Sequence, residues 1–154
     1  MENSVNYTIR QVEIGDMDYL LVLMQEHAAY EKADFSSDNK IERLVKALFT
    51  APVKLHCWVV ILDQQLVGFL SFTFDYSTWD AADFMYMDCL FLREHTRGLG
   101  IGTEILRRLK IVAAEKGCIN IQWQTPVFNK PAIKFYHKNS ASSKQKVRFT
   151  LKAS

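Results

Sequence analysis

The residue types best suited to chemistry lie in a glycine-rich segment in the middle of the chain. Arg97 is followed at alternate positions by Gly98, Gly100 and Gly102, which are three of the six glycines in the sequence. A mostly apolar stretch over 87–92 precedes them and predicts a buried strand. Because glycine lets a backbone come close to a ligand and arginine carries a fixed positive charge, the segment indicates an anion-binding turn.

The residues after the glycines predict an amphipathic helix that begins near Thr103. Its apolar positions recur at the spacing of one helix face and are Ile105, Leu109, Val112 and Ala113. The first amides of a helix lack an internal partner, and the helix dipole adds positive potential at that end. Strand, glycines and helix start together predict a phosphate or pyrophosphate site. The alternative is a glycine-rich turn that only caps the helix.

Two common phosphate-binding patterns do not fit this segment. The pattern G-x-x-x-x-G-K-[ST] fails because no lysine follows Gly102, and G-x-G-x-x-G counted from Gly98 ends on Thr103 instead of glycine. The pattern that remains is Arg-x-x-Gly-x-Gly between an apolar strand and an amphipathic helix. It resembles the acetyl-coenzyme-A loop of the GNAT family of N-acetyltransferases, whose loop amides hold the pyrophosphate of coenzyme A.

Composition predicts one globular domain spanning residues 1–154. Hydrophobic residues make up 49% of the 154 residues and aromatic residues 12%, which is typical of a folded domain with a core. The formal net charge is +2, too small to indicate a nucleic-acid partner. The lysine-rich stretch over 138–152 is interpreted as a solvated surface.

The chain lacks the usual signals of secretion, membrane insertion and metal binding. Its N-terminus has no apolar core of a signal peptide, and no apolar run approaches the ~18–20 residues of a membrane span. The three cysteines, Cys57, Cys89 and Cys118, are far apart in apolar stretches, which indicates reduced core residues of a cytoplasmic protein. The four histidines show no metal-ligand spacing, so no metal site is predicted.

Apolar periodicity predicts the order β, α, α, β, β, β, loop, α, β, α, β, which is the α+β class on a mixed sheet. The predicted strands span 7–12, 56–62, 66–74, 84–92, 118–124 and 147–151. The predicted helices span about 16–31, then from Ser37 or Asp38 to Ala51-Pro52, then 103–117, then from Asn129 or Lys130. The same order is expected of the GNAT fold, which implies a mixed, mostly antiparallel sheet of six to seven strands with about four helices.

A second motif begins at Asn129. The residues from there to Tyr136 resemble the N-x-x-A-x-x-F-Y segment of the same family position by position. Helix geometry places Ala132, Phe135 and Tyr136 on neighbouring turns of one face. The small alanine leaves room for a narrow ligand, and the phenol can point at the end of that ligand. The alternative is an ordinary amphipathic helix with an aromatic core face.

Within the family, the chain is most similar to the spermidine/spermine (diamine) N-acetyltransferase branch. The stretch over 72–109 resembles that branch's aromatic strand, its loop with a tryptophan, and its strand with an acid before the glycine loop. The pair Tyr30-Glu31 resembles a Tyr-Glu pair of the branch. The resemblance implies transfer of an acetyl group from acetyl-CoA to a primary amine of a small molecule. It also implies a homodimer, with the predicted loop over 75–83 as apolar interface surface.

The resemblance also implies a role for individual residues. Tyr136 would protonate the leaving thiolate, and Asp88 would bind or deprotonate the amine. The substrate would contact Tyr30, Glu31, Asp88 and Gln124. The cofactor would be bound by Leu90, Phe91, Leu92, Arg97, Gly98, Leu99, Gly100, Ile101, Gly102, Thr103, Asn129, Ala132 and Tyr136, with backbone amides near Leu90 and Leu92 polarising the carbonyl.

Several alternatives stay open from the residues alone. Alternation along the strand places Asp88 on the same face as Leu90, two residues later. A carboxylate in an apolar strand is costly without a role or a partner. The alternative is that Asp88 lies at a bulge and pairs with a local arginine. Glu31 could be a solvated loop acid, and His27 is interpreted as a core or rim residue. Two other functions are acetylation of a protein or peptide amine, and acyl-CoA binding without catalysis.

Overall fold

The computed structural model describes residues 6–154, and the chain divides into two compact units. The first ends at Gln124 and the second is Thr125–Ser154. The predicted single domain over 1–154 stays a prediction. The first five residues of that range lie outside the described residues. They are half of the ten-residue stretch on which the prediction about a signal peptide rests.

The first unit is built on one five-stranded sheet whose spatial order follows the chain order. The first three pairings are antiparallel, and the last is parallel. The strands are β1 (Tyr7–Gln11), β2 (His56–Leu62), β3 (Gln65–Ser77), β4 (Ala82–Leu92) and β5 (Ile121–Gln122). The mixed, mostly antiparallel sheet is therefore confirmed, whereas the predicted number of six to seven strands is wrong.

Residues 6–154 contain four α-helices, as predicted. They are α1 (Met17–Tyr30), α2 (Lys40–Phe49), α3 (Ile101–Glu115) and, in the second unit, α4 (Lys130–Lys138). Helix α3 connects the parallel pair β4 and β5 and buries Ile101, Ile105 and Leu109, which lie one turn apart on one face. None of the helices among residues 6–154 is both long and apolar enough to cross a bilayer.

The core beneath α1 and α2 anchors the end of β4 that precedes the glycine segment. Leu23 of α1 and Val59 of β2 are completely buried there, together with Phe69 of β3 and Phe91 of β4. Burying such side chains contributes about 1.5–3 kcal/mol each. The backbone of β4 around Phe91 is therefore held firmly in place.

The last predicted strand is absent from the second unit. Residues 141–154 contain no helix or strand, and Val147, Phe149 and Leu151 are all exposed. Alternating apolar residues form a strand only when a neighbour supplies hydrogen bonds and a face to bury. No described strand does so here. The predicted strand over 118–124 is likewise shortened to two residues.

Several element boundaries also differ from the prediction. Helix α2 begins at Lys40 because Asn39, in a left-handed conformation, is its N-cap, in place of Ser37 or Asp38. Helix α3 begins at Ile101, two residues before the predicted Thr103. Strands β3 and β4 extend towards each other, so the predicted loop over 75–83 is reduced to residues 78–81.

Candidate active site

A β-bulge interrupts β4 at Asp88. Met87 pairs with Phe72 and Cys89 pairs with Ser71, so Asp88 is an extra residue without a partner on β3. Bulges bend a strand and change the direction in which its side chains point. Unbroken alternation along β4 would place Asp88 on the face of Leu90, and the bulge breaks that alternation.

The backbone amides of Leu90 and Leu92 point away from β3. The amide of Arg93 donates to the carbonyl of Val67 on β3 at 2.9 Å. Successive amides along a strand point to opposite edges, so the amide of Leu92, and that of Leu90 two residues earlier, face the other edge. That edge is the one on which β5 lies.

Strand β5 covers only the beginning of that edge. Its last registered pair joins Gln122 to Tyr86. Beyond Tyr86, no strand among residues 6–154 pairs with the outer edge of β4. The amides of Leu90 and Leu92 therefore lie on an open strand edge that leads directly into the glycine segment, and they are donors for a ligand laid along the strand.

The glycine segment leaves the first turn of α3 open. Gly98 and Gly100 have φ values of 81° and 82°, and a Cβ on either would meet no atom within 4 Å. Gly100 is the N-cap of α3, and the first intrahelical bond runs from the amide of Glu104 to its carbonyl at 3.1 Å. The amides of residues 101–103 precede that bond and have no intrahelical acceptor. Exposed Leu99 lies between the two glycines.

Positive charge surrounds this helix start. The Arg97 side chain donates from Nε to the carbonyl of Leu92 at 3.1 Å, which holds its guanidinium beside the segment. Glu104 is the acid of the first turn, and Arg107 and Arg108 bond its carboxylate at 2.7 and 2.9 Å. These two guanidinium groups lower the pKa of Glu104 to about 2. The carboxylate of this first turn is therefore offset by two cations.

Asp88 lies close to Cys89 and not to an arginine. Its Oδ2 is 4.0 Å from Sγ of Cys89, and no lysine or arginine forms an ion pair with it among the described residues. Burial, then Asp88, and to a smaller extent Glu31 raise the pKa of the Cys89 thiol to about 12. The thiolate is the nucleophilic form of cysteine, so Cys89 is unsuited to accept an acyl group.

The last turn of α1 approaches the same end of the sheet. Nε2 of His27 lies 3.3 Å from Oε1 of Glu31, and its ring stacks on Phe91 at 5.3 Å. The ring of Tyr30 also contacts Phe91, and the guanidinium carbon of Arg97 lies 4.9 Å from its centroid. Tyr30 therefore contacts the cation of the glycine segment, and its predicted contact with the substrate stays a prediction.

The remaining predicted residue of this unit is Gln124. It is exposed and donates from Nε2 to the hydroxyl of Tyr86 at 3.2 Å. The structure thus brings Tyr30, Glu31 and Asp88 to one end of β4, and it places Gln124 beside the middle of that strand. At this end of β4, Phe91 offers only its backbone to a ligand, because its ring is buried in the core.

The second unit carries the second motif. The buried side chain of Asn129 caps α4, with Oδ1 accepting from the amide of Ala132 at 3.4 Å and Nδ2 donating to Thr125 at 3.3 Å. Pro131 lies in the first turn, as predicted. The rings of Phe135 and Tyr136 are 5.4 Å apart, and both residues are half-buried.

One feature of the site was missed from the sequence, and another was only an open alternative. The bulge at Asp88 was that alternative, and it has no local signal because it depends on the register between β3 and β4. The pair of His27 and Glu31 did have one, because residues four apart on a helix are neighbours. That spacing could have placed His27 beside the predicted substrate carboxylate.

Known proteins resemble this chain in sequence and in fold. A thialysine N-epsilon-acetyltransferase of Bos taurus is 31% identical over 136 residues, covering 83% of this chain and 79% of that protein. A spermidine/spermine N(1)-acetyltransferase-like protein 1 of Homo sapiens is 28% identical over 148 residues, covering 91% of this chain and 21% of that protein. These two relatives confirm the resemblance to the diamine branch.

The fold itself recurs in an aminoglycoside N-acetyltransferase, AAC(6')-Iy, whose structure is in complex with CoA. It matches with a TM-score of 0.80 at 16% identity, over 100% of this chain and 99% of that chain. At that identity the likeness concerns the fold alone. The Acetyltransferase (GNAT) family model matches residues 20–140. These matches agree with the open edge of β4 and the glycine-capped start of α3. The chain therefore belongs to the acetyltransferase (GNAT) family and is an acyltransferase enzyme.

Proposed function

We propose that this protein transfers the acetyl group of acetyl-CoA to a primary amine of a small molecule, of diamine or polyamine type. The observation that carries the proposal is the open first turn of α3, with left-handed Gly98 and Gly100 before it and the open edge of β4 leading into it. When bound, acetyl-CoA supplies an acetyl group activated as a thioester.

The residues around the glycine segment suit the two ends of such a molecule. The amides over 98–103 and the guanidinium of Arg97 would hold the pyrophosphate, since backbone donors at a helix start favour anions. The amides of Leu90 and Leu92 would donate to the carbonyl oxygen, where negative charge develops. On α4, Asn129, Ala132 and Tyr136 are proposed as further cofactor contacts.

The amine must lose a proton before its nitrogen can form a bond, since an alkylammonium with a pKa near ~10 is almost fully protonated at neutral pH. We assign Asp88 to bind the ammonium and accept that proton. The new C–N bond replaces the C–S bond, and Tyr136 would give its hydroxyl proton to the departing sulfur. The raised pKa of Cys89 favours direct transfer to the amine over an acyl-cysteine step.

The acceptor is proposed to be cationic at more than one position. Glu31 and Asp88 both lie near Cys89, and two carboxylates at one end of β4 favour a molecule with two ammonium groups. Gln124, which donates to Tyr86, is proposed as a further substrate contact.

A panel of amines tests this function directly. Thiol release from acetyl-CoA would be followed with monoamines, diamines, polyamines and a lysine-containing peptide. We expect the highest kcat/KM with a small diamine or polyamine. Turnover of the peptide alone would favour acetylation of a protein amine. Binding of acetyl-CoA by calorimetry without turnover of any amine would indicate an acyl-CoA-binding module.

Two properties of the protein in solution are also proposed. We propose a homodimer, supported by the exposed rings of Tyr76 and Trp79, which are 65% and 96% exposed beside the β3–β4 turn. Light scattering at micromolar concentration would contradict this if it gave the mass of a monomer. We propose a cytoplasmic location, supported by three cysteines that form no disulfide.

A further inference from the structure

His27 contacts a residue of the proposed acceptor site but has no part in the proposed reaction. Its Nε2 lies 3.3 Å from Oε1 of Glu31, the C-cap residue that follows α1. The His27 side chain is 12% exposed, while that of Glu31 is 31% exposed. The imidazole is therefore mostly enclosed, and the carboxylate that it contacts remains within reach of a ligand.

The imidazole is held in this position by aromatic rings from two strands. Its ring stacks on Phe91 of β4 with centroids 5.3 Å apart and meets the edge of Phe69 of β3 at 5.8 Å. A ring packed on both sides cannot turn away from Glu31 without losing these contacts. The distance between His27 and Glu31 is thus set by the core and not by a flexible surface contact.

The other charged groups around His27 leave Glu31 as its ion partner within the described residues. From β4, the thiol of Cys89 is acted on by both Asp88 and Glu31, and it stays uncharged because burial and these carboxylates raise its pKa to about 12. On α1, Glu26 precedes His27 but bonds Arg93 at 3.1 Å. Strand β3 contributes only the apolar ring of Phe69. The cation of the glycine segment, Arg97, lies over Tyr30 instead.

We propose that His27 is a positioning residue that sets the charge of the acceptor site through Glu31. Neutral His27 leaves the carboxylate of Glu31 able to bind the distal ammonium of a diamine. Protonated His27 forms an ion pair with that carboxylate and competes with the ammonium for it. This inference rests on the proposed function, and it adds a proton-dependent choice between diamines and monoamines.

The direction of the pH effect follows from these charges. Histidine gains its proton as the pH falls through the range of about 8 to 5. Protonated His27 offsets the charge of Glu31 and leaves the carboxylate ionised, so the binding of a second ammonium is weaker at low pH and is restored as the pH rises. A monoamine has no second ammonium, so this part of the pH dependence is absent from its turnover.

The test compares putrescine with butylamine, which share a chain length and differ in the second amine. The ratio of their kcat/KM values cancels the deprotonation and transfer steps that both amines need. For the wild-type protein we expect this ratio to fall by about three- to tenfold between about pH 8 and about pH 5.5. Glu31→Gln should make the ratio low and independent of pH.

The decisive variants replace the imidazole. His27→Leu keeps the apolar volume between the two phenylalanine rings, and His27→Gln keeps a polar group that does not titrate. In either variant we expect the ratio to stay high across the pH range, with acetyl-CoA affinity by calorimetry as in the wild type. If His27→Leu does not fold, His27→Gln decides.

A pH-dependent ratio that persists in the folded variants would overturn the role of His27. A ratio that does not change with pH in the wild-type protein would also overturn it. In both cases the proposed function would stand, because the amines are still acetylated. Failure of the wild-type protein to acetylate any amine would overturn the proposed function, and this inference with it.

Discussion

The starts of α3 and α4 solve the same problem in different ways. Each helix leaves its first amides without intrahelical acceptors. At α4, the side chain of Asn129 accepts from the amide of Ala132, and Pro131 removes one amide altogether. At α3, Gly100 is the N-cap and has no side chain to offer, so the amides of residues 101–103 stay available.

The difference indicates what each helix start can offer to a ligand. Relative to a polar N-cap, glycine destabilises a helix by only about a few tenths of a kcal/mol, so α3 keeps its first turn open at little cost in stability. Its open donors and the dipole of its 15 residues suit an anion. Helix α4 closes its own start, so we assign its contribution to a side chain, Tyr136. Backbone chemistry at one helix and side-chain chemistry at the other can be separated by mutation.

The largest effect is expected at Tyr136. Tyr136→Phe removes one hydroxyl, so the fold and the acetyl-CoA affinity should be kept. Turnover should fall by about 10²–10⁴-fold, as is typical when a general acid is lost. The measurement is kcat with a saturating amine, and Tyr19→Phe, an exposed tyrosine of α1, is the matched control.

Two results would change this assignment. Turnover like that of the wild type would mean that positioning and backbone polarisation suffice for the reaction. A loss of acetyl-CoA affinity in Tyr136→Phe would instead place the hydroxyl in cofactor recognition. The assignment of anion binding to the backbone of α3 and of proton transfer to the side chain on α4 would then be wrong.

The next effect concerns the backbone at the start of α3. Gly100→Val places a side chain where the pyrophosphate is proposed to lie, and we expect the Kd of acetyl-CoA to rise by about tenfold or more. Gly117, just after the end of α3, has a φ of 74° and equally open space around a Cβ. Gly117→Val therefore imposes a similar strain of ~1–2 kcal/mol without touching the segment.

Calorimetry on both variants separates the two causes. Reduced stability in both, with weaker acetyl-CoA binding only in Gly100→Val, is the expected result. Unchanged affinity in Gly100→Val would show that the glycine segment only caps the helix.

A moderate effect is expected at the bulge of β4. Asp88→Asn keeps the shape but cannot hold an ammonium or take its proton, so we expect an amine KM about tenfold higher or a pH optimum shifted upward, where free amine is more abundant. Acetyl-CoA affinity should not change, which would separate amine handling from both helix starts. Asp83→Asn is the control, because Asp83 lies near the other end of β4, where its backbone pairs with Tyr76 of β3 and accepts from the amide of Ile119. Equal KM values for the two variants would argue against a role for Asp88.

The smallest effect is expected at the closed start of α4. Asn129→Ala removes the cap, and we expect a loss of about 1 kcal/mol in the free energy of unfolding. Urea denaturation measures this loss. Weaker acetyl-CoA binding with unchanged stability would contradict the capping role, whereas weaker binding together with reduced stability would agree with the cofactor contact proposed for Asn129.

The sequence by itself determined the features that depend on neighbouring residues. The glycines before α3 and the Asn-x-Pro start of α4 identify the two helix starts, because left-handed turns and capping are local events. The apolar periodicity predicted β2 over its full length and all four helices. These local signals carried the resemblance to the family, which the family match confirms, and they led to the proposed anion site.

Only the tertiary structure decided the features that depend on pairing between distant segments. The bulge at Asp88 comes from the register with β3, and the open edge beside Leu90 and Leu92 comes from the early end of β5. The stretch over 147–151 has the alternation of a strand yet forms none, because a strand exists only with a partner. The contact of His27 with Phe91 likewise required α1 to pack on the sheet, since burial and register are properties of the whole fold.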